Sequence, residues 1–306
     1  MVPRKSNAGA VANDFGPRAK RPERRFYSLA ASVLSHGGPG YLQFAITNIS
    51  NAKCDFCGFA AGKMDPKQRR SVSLKEAKDA IDIAVKNHIG YILFVGGEPL
   101  LHKELGAMVR HAAESGIHPM ICTNGSLWTD DSMRALANHG LSSVIMSIDS
   151  HDVLRHERNR GLPDLCARIK ELKRRGGFTV VNPAESLNEM QRHLKGESER
   201  FGCLGGHKYF YLDWNLNLYR CHYWETPMCS VYDFDESKLI RDGCTRCMID
   251  CYRDPSILQH VAISVSDACR SLKKGRLFQA FRHLCDSRNW ISAKAVWEDR
   301  QWIQRV

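Results

Sequence analysis

The sequence of 306 residues predicts an α/β fold built around a parallel sheet. Two observations support this prediction. Short apolar segments alternate with amphipathic helical segments over residues 41–175, and the early apolar segments contain few polar residues. Strands covered by helices on both faces of a sheet have this composition. Because parallel α/β sheets carry their chemistry at the carboxyl ends of the strands, the residues directly after each segment are candidates for function.

Local signals predict the individual elements. Ser73 and Glu76 have the spacing of a capping box, which predicts that a helix begins there. The predicted helices cover residues 74–85, 105–113, 129–138 and 162–175, with a short one at 186–195. The predicted strands cover residues 41–48, 91–95, 119–123 and 143–148, with a fifth candidate at 178–181. Residues 209–221 are predicted to form a β-hairpin whose turn lies at Asn215–Asn217.

Composition divides the chain into four predicted regions. Residues 1–25 are basic, polar and aperiodic, which is typical of a disordered tail. Residues 26–200 contain the alternating strands and helices. Residues 201–255 contain half of the 12 cysteines, and residues 256–306 are predicted to form terminal helices.

Cysteine usage and the lack of long apolar runs narrow the class of protein. No stretch of about 18 apolar residues occurs, so no membrane-spanning helix is expected. Residues 1–14 lack the apolar segment of a secretory signal, so the expected location is the cytoplasm, where thiols stay reduced. Tight cysteine spacings there indicate metal or iron–sulfur ligation rather than disulfides. Cys166, Cys269 and Cys285 lie in predicted helices and are expected to be small core side chains.

The net charge of +11 has two interpretations. Basic side chains attract anionic partners such as nucleic acid or phosphorylated metabolites. Alternatively, they form a solvated surface and a basic tail. The second interpretation is favoured, and no specific nucleic-acid partner is expected, because no aromatic residues interleave with the charges as a base-stacking surface requires.

Two motifs follow the first two predicted strands. Cys54-x-x-Cys57 follows the first, and this spacing alone is compatible with zinc, redox and iron–sulfur roles. Gly96-Gly97-Glu98-Pro99 ends the second. Its glycines allow the backbone to approach a ligand closely, and Glu98 provides an anionic acceptor. An ordinary turn at the end of a strand is the alternative for this segment.

These motifs, with Cys122-Thr123-Asn124-Gly125 and Ser147-Ile148-Asp149 after the next two strands, occur in the order found in radical S-adenosylmethionine (SAM) enzymes. Residues 41–175 therefore resemble the front half of a radical SAM enzyme. The resemblance implies a partial (β/α) barrel. It also implies a [4Fe–4S] cluster whose open iron binds SAM, and reductive cleavage of SAM to a 5′-deoxyadenosyl radical that abstracts a substrate hydrogen. The cofactors carry the reaction, while the protein positions them and excludes water.

The same resemblance implies which residues bind the cofactors. Cys54 and Cys57 would ligate the cluster. The residues expected to bind SAM are Gly96, Gly97, Glu98, Pro99, Thr123, Asn124, Ser147, Asp149 and Arg160. Within this set, the Gly96–Pro99 segment would hold the amino group of SAM, and Arg160 would face its carboxylate.

Ser50 is a departure from the family pattern. The family motif is Cys-x-x-x-Cys-x-x-Cys, and Ser50 stands at the first cysteine position. Iron–sulfur clusters select soft thiolates, and a hydroxyl is much harder to deprotonate. Ser50 could ligate weakly, an outside ligand could replace it, or no stable cluster forms. The alternative to an enzyme is therefore a degenerate, inactive paralogue that keeps only a structural iron–sulfur or zinc site.

A second cysteine group follows the predicted hairpin. Its members are Cys203, Cys221, Cys244, Cys247 and Cys251, with Cys229 as the weakest candidate. This group resembles the SPASM or Twitch auxiliary-cluster region of radical SAM enzymes, which implies an auxiliary [4Fe–4S] cluster. A four-cysteine zinc site is the alternative, because zinc accepts the same thiolates.

The barrel is expected to be shortened. The family barrel usually has six strands, and the sequence shows four clear strands and a fifth candidate. The resemblance leaves the substrate open among peptides, lipids and small metabolites. It implies an electron donor such as flavodoxin or ferredoxin.

Overall fold

The computed structural model describes residues 26–54, 57–146, 196–247 and 250–298, together with positions 185, 188–189 and 192–193. The predicted strand at 178–181, the helix at 162–175 and most of the short helix at 186–195 lie outside the described residues. No helix among the described residues is long and apolar enough to cross a membrane.

The described strands form one sheet in the order β4-β3-β2-β1-β5-β6-β7. Strands β4, β3, β2, β1 and β5 run parallel to one another, and the pairs β5–β6 and β6–β7 are antiparallel. The strands are Gly40–Thr47 (β1), Ile89–Gly96 (β2), His118–Thr123 (β3), Ser143–Met146 (β4), Tyr209–Leu212 (β5), Asn217–Tyr219 (β6) and Cys229–Ser230 (β7). The predicted α/β class with a parallel sheet is confirmed.

Helices alternate with the strands in the first half and follow them in the second. They are Phe26–His36 (α1), Leu74–Lys86 (α2), Leu105–Glu114 (α3), Asp130–Asn138 (α4), Asp250–Lys273 (α5), Leu277–Leu284 (α6) and Arg288–Glu298 (α7). The predicted capping box is confirmed: the Ser73 hydroxyl accepts from the Glu76 backbone N–H, and the Glu76 carboxylate accepts from the Ser73 N–H. Helix α5 packs against α1, α6 and α7.

The main core lies between the sheet and helices α2 and α3. Phe44, Phe94, Ile81 and Met108 are fully buried there. Each such side chain contributes about 1.5–3 kcal/mol by leaving water. This packing fixes the strands, so the loops after them meet at one edge of the sheet.

Two features differ from the sequence prediction. The hairpin exists, with its turn at 213–216, but its first strand pairs in parallel with β1, Tyr41 lying opposite Tyr209. Residues 209–219 therefore extend the main sheet as well as leading into the cysteine-rich segment. Cys285 was expected in a core, and this prediction is wrong: the residue caps the end of α6 and is exposed.

Candidate functional site

The loop after β1 is held against the end of β2 by direct backbone contact. The Gly97 N–H donates to the Thr47 carbonyl and the Glu98 N–H to the Ile49 carbonyl, each at 2.8 Å. A Cβ atom at Gly96 would lie 2.0 Å from the Thr47 oxygen, and one at Gly97 would lie 2.0 Å from the Ile49 oxygen. The two glycines are thus required because another segment of the protein backbone approaches them closely. The sequence analysis expected a ligand to make this approach.

Glu98 connects the ends of β2 and β3. Its carboxylate is completely buried. It accepts hydrogen bonds from the Thr123 hydroxyl at 2.7 Å, the Asn124 N–H at 2.9 Å and the Leu100 N–H at 3.1 Å. Three donors compensate for the burial of the carboxylate, which would otherwise be costly.

A network of amide and hydroxyl groups extends from Asn124 to the residue after Ser50. Asn124 Nδ2 donates to Asn51 Oδ1 at 3.0 Å, and Asn51 Nδ2 donates to the Ser126 hydroxyl at 2.7 Å. The Ser126 hydroxyl in turn donates to Asn124 Oδ1 at 2.6 Å. Sequence reasoning missed Asn51 and Ser126. The signal that could have found them is their position, since each directly follows or lies within a strand-end motif.

The first cysteine group lies in the loop anchored by this network. Cys54 is buried, Cys57 is half-buried, and the Cys57 N–H donates to the Cys54 carbonyl at 3.4 Å. The Ser50 hydroxyl oxygen accepts the Ala52 N–H at 3.1 Å. Two soft thiols are therefore available to an iron–sulfur cluster, while the first cysteine position of the family motif provides a hydroxyl that already takes part in a local turn.

Three of the remaining predicted SAM ligands follow β4 in the sequence. Strand β4 runs parallel to β3 and ends at Met146, so its carboxyl end faces the same edge as Thr123. Ser147, Asp149 and Arg160 lie outside the described residues. Pro99 is buried and begins a short 3₁₀ helix that follows Glu98.

The second cysteine group lies at the other end of the strands. Cys203 precedes β5, and Cys221 follows β6, which runs back antiparallel to β5. Both residues therefore lie toward the amino end of β5, whereas the Cys54–Cys57 loop follows the carboxyl end of β1. Four residues of β5 span about 13 Å, so the two cysteine groups are separated along the strands.

The members of the second group are close enough to influence one another electrostatically. Burial raises the pKa of the Cys203 thiol, and the thiols of Cys244 and Cys247 add to this effect. Burial also raises the pKa of Cys221, with smaller contributions from Cys203 and Cys247. Four predicted ligands are thus brought together. Cys251 lies in the first turn of α5, and its side chain is outside the described residues.

Cys229 lies in different surroundings. It belongs to β7 opposite Leu218, and the charges that act on its thiol come from Lys238, Asp233 and Asp235. Its pKa is raised mainly by burial. No other cysteine contributes to this shift.

A bidentate ion pair holds the second group together. Arg220 is 3% exposed, and its guanidinium donates to Asp242 at 2.6 and 2.7 Å. Because Arg220 adjoins Cys221 and Asp242 is two residues before Cys244, the pair fixes one cysteine segment on the other. The Cys203 N–H also donates to the Cys244 carbonyl at 2.8 Å.

The described thiols of the second group are not arranged as a closed tetrahedral site. Zinc–sulfur bonds of about 2.3 Å place four sulfurs roughly 3.8 Å apart. Within the described ranges, no three sulfurs of the second group lie within 4.8 Å of one another.

Comparisons with known proteins identify the superfamily of this chain. Residues 44–213, more than half of the chain, match the model of the radical SAM superfamily. A GTP 3′,8-cyclase of Chlorobaculum tepidum is 31% identical over 113 residues, covering 37% of this chain and 33% of the cyclase. An AdoMet-dependent heme synthase of Methanosarcina barkeri is 24% identical over 184 residues, covering 58% and 52%.

Among solved structures, SuiB of Streptococcus suis bound to S-adenosylmethionine matches with a TM-score of 0.46 at 14% identity, covering 75% of this chain and 70% of SuiB. The alignments with the two curated relatives span between a third and about half of each relative's length. The match of the family model over β1–β5 and the strand-end motifs that it contains show that this chain belongs to the radical SAM superfamily.

Proposed function

We propose that the chain binds a [4Fe–4S] cluster and SAM at the carboxyl edge of the sheet and cleaves SAM reductively to generate a 5′-deoxyadenosyl radical. The observation that carries this proposal is the hydrogen-bonded connection of three strand ends beside Ser50, through Asn51, Asn124 and Glu98. When bound, the cluster supplies the electron for cleavage of the SAM sulfonium.

The residues of the chain have distinct roles in this proposal. Cys54 and Cys57 provide thiolates for the cluster, and Ser50 provides at most a hydroxyl at the first position of the motif. Glu98 fixes the Thr123–Asn124 segment, so the backbone groups around Gly97 and Asn124 are preorganised before SAM enters. Ser147, Asp149 and Arg160 complete the proposed SAM ligands from the segment after β4.

For the second cysteine group we propose an auxiliary [4Fe–4S] cluster of the SPASM or Twitch type on Cys203, Cys221, Cys244, Cys247 and Cys251. Membership of the radical SAM superfamily supports a cluster over zinc, because this chain already has a proposed iron–sulfur site and the same set of four cysteines can hold a second cluster.

The proposed substrate is a peptide, a lipid or a small metabolite. The proposed electron donor is a flavodoxin or a ferredoxin. The radical would act on the substrate at the carboxyl edge of the sheet, where Cys54 and Glu98 lie.

Anaerobic reconstitution with iron and sulfide tests the proposal. We expect iron at both cysteine groups, and 5′-deoxyadenosine after reduction with dithionite in the presence of SAM. Ser50→Cys restores a third thiolate, so we expect it to raise the iron at the first group to about four atoms per chain and to increase the rate of 5′-deoxyadenosine formation.

Two matched variants make the result specific. Cys57→Ser removes a proposed ligand and should abolish SAM cleavage, while Cys285→Ser removes an exposed thiol and should change neither iron nor product. If the chain holds iron only at the second group and both wild type and Ser50→Cys leave SAM intact, the chain is a degenerate paralogue and the proposal is wrong.

A further inference from the structure

A second polar site lies at the amino ends of the strands and contains none of the cysteines. His36 is the last residue of α1, His88 follows α2, and Glu236 begins a short 3₁₀ helix after β7. One ligand atom from each of the three side chains lies within 4.8 Å of the other two. The sequence reading did not identify this group, because its members are separated by 52 and 148 residues.

We propose that His36, His88 and Glu236 form a binding site for a divalent transition-metal ion such as Zn²⁺. Two imidazoles and a carboxylate are a known three-residue ligand set for zinc, which leaves a fourth position open for water. The open position would face a cavity of about 390 Å³ that is also lined by His207, Lys208 and Arg270.

The backbone at His88 is the first observation in favour of a ligand role. His88 occupies the position after the C-cap residue Asn87 and has φ of 60°, in the left-handed region. Glycine is the usual residue at this position, because a side chain there is strained. Backbone strain of this kind persists where the side chain has a use, and here it places the imidazole beside His36.

The contact between the two imidazoles is the second observation. Their rings stack with centroids 3.5 Å apart and an interplanar angle of 20°, so the fold holds both imidazoles side by side. Nearly parallel rings must turn about χ2 to share one ion, and this torsion is soft.

Protein acceptors engage two cations of the cavity lining. Lys208 is buried and its ammonium donates to the Gly38 carbonyl at 3.0 Å, while Arg270 donates to Asp267 at 2.6 Å. Both groups are therefore directed to protein acceptors. The Glu236 carboxylate, by contrast, lies within ligand distance of the two imidazoles.

The decisive variant is His88→Gly. Glycine relieves the strain at φ of 60°, so this variant should unfold at the same temperature as wild type or higher when no metal is present. It should also lose one equivalent of bound zinc. A purely structural role for the ring stack predicts the opposite result, a lower unfolding temperature with unchanged zinc.

The measurement compares zinc content after the full chain is loaded with ZnCl₂ and dialysed. Wild type should hold one equivalent of zinc more than His88→Gly or His36→Ala. Zinc bound by the cysteines should be the same in the three proteins and therefore cancels in this difference. His111→Ala is the matched control, since His111 pairs with Asp82 at 2.8 Å on another face, and it should retain the wild-type content.

X-ray absorption at the zinc edge identifies the ligands. The difference between wild type and His88→Gly should show nitrogen and oxygen at about 2.0–2.1 Å without the sulfur distance of about 2.3 Å. Equal zinc in the two chains, or a difference made of sulfur ligands, would overturn the proposal. Stabilisation of metal-free wild type by inorganic phosphate, lost on Lys208→Met, together with no zinc difference, would identify an anion site instead.

Discussion

The two cysteine groups of this protein differ in what positions them. At the carboxyl edge, the loop that carries Cys54 and Cys57 is fixed by the close contact of Gly97 with Ile49 and by the buried carboxylate of Glu98, which accepts from three donors. At the other end of the strands, the segments that carry Cys221 and Cys244 are joined by the Arg220–Asp242 pair, whose aspartate is half exposed.

This difference shows that the number of cysteine ligands in a group and the rigidity of the structure around that group are separate properties. The first group has two thiols and Ser50 in a loop that a partly buried polar network anchors. The second has four described thiols within a looser, charge-dependent frame. Substitutions around the first group should therefore change the stability of the whole sheet, while substitutions around the second should act mainly on the local loop.

Removal of the Glu98 carboxylate should have the largest effect. Glu98→Ala leaves three buried donors without an acceptor, so we expect the free energy of unfolding to fall by about 3–5 kcal/mol. Urea denaturation of the metal-free chain measures this change. Glu114→Ala is the control, because its carboxylate is 55% exposed and lies 3.8 Å from Arg110, and it should change stability by less than about 0.5 kcal/mol. A loss below about 1 kcal/mol at Glu98 would contradict the role of the buried network.

Gly97→Ala, which adds a methyl group, should cause the next largest loss of stability. Its Cβ would lie 2.0 Å from the Ile49 carbonyl oxygen, so the two backbones must separate. We expect a loss of about 1–3 kcal/mol and weaker retention of iron at the first group. Gly58→Ala, in the loop after β1 that carries Cys54 and Cys57, is a matched control, since nothing lies within 4 Å of its added Cβ. Equal effects of the two substitutions would show that the close approach is unimportant.

The elements that the sequence predicted correctly are those set by local chemistry. Ser73 and Glu76 satisfy the first turn of α2 through neighbours three residues apart, and the apolar runs of β1 and β2 bury both faces. The order of strand-end motifs was enough to bring Glu98 and Asn124 to one edge, since parallel strands share their carboxyl ends.

The contacts that the sequence did not predict join distant residues. The pairing of Tyr41 with Tyr209 crosses 168 positions, and nothing in the periodicity of either strand selects the other as a partner. The sequence led us to expect a ligand beside Gly96 and Gly97, because a sequence cannot show which backbone segment approaches a glycine. The same limit applies to Arg220 and Asp242, whose pairing depends on the fold of the segments between them.

The smallest expected effect concerns the frame of the second group. The hydrogen bond from Arg220 lowers the pKa of the Asp242 carboxyl below its ordinary value. A carboxyl whose pKa is lowered by folding stabilises the protein above its unfolded pKa of about 4, and this contribution disappears as the pH falls through the lower folded value. Because Asp242 is half exposed, the contribution should not exceed about 1 kcal/mol.

Asp242→Asn tests this assignment through the difference in pH dependence between two chains. Wild type should lose stability relative to the variant as the pH falls from about 5 toward 2, while the two unfolding curves keep a constant separation from pH 5 to 7. The variant should also lose iron from the second group sooner on dialysis, since Cys221 and Cys244 are no longer held together, with the first group unaffected. A variant that lost iron from both groups equally would show that the two regions are coupled, and the contrast between them would fail.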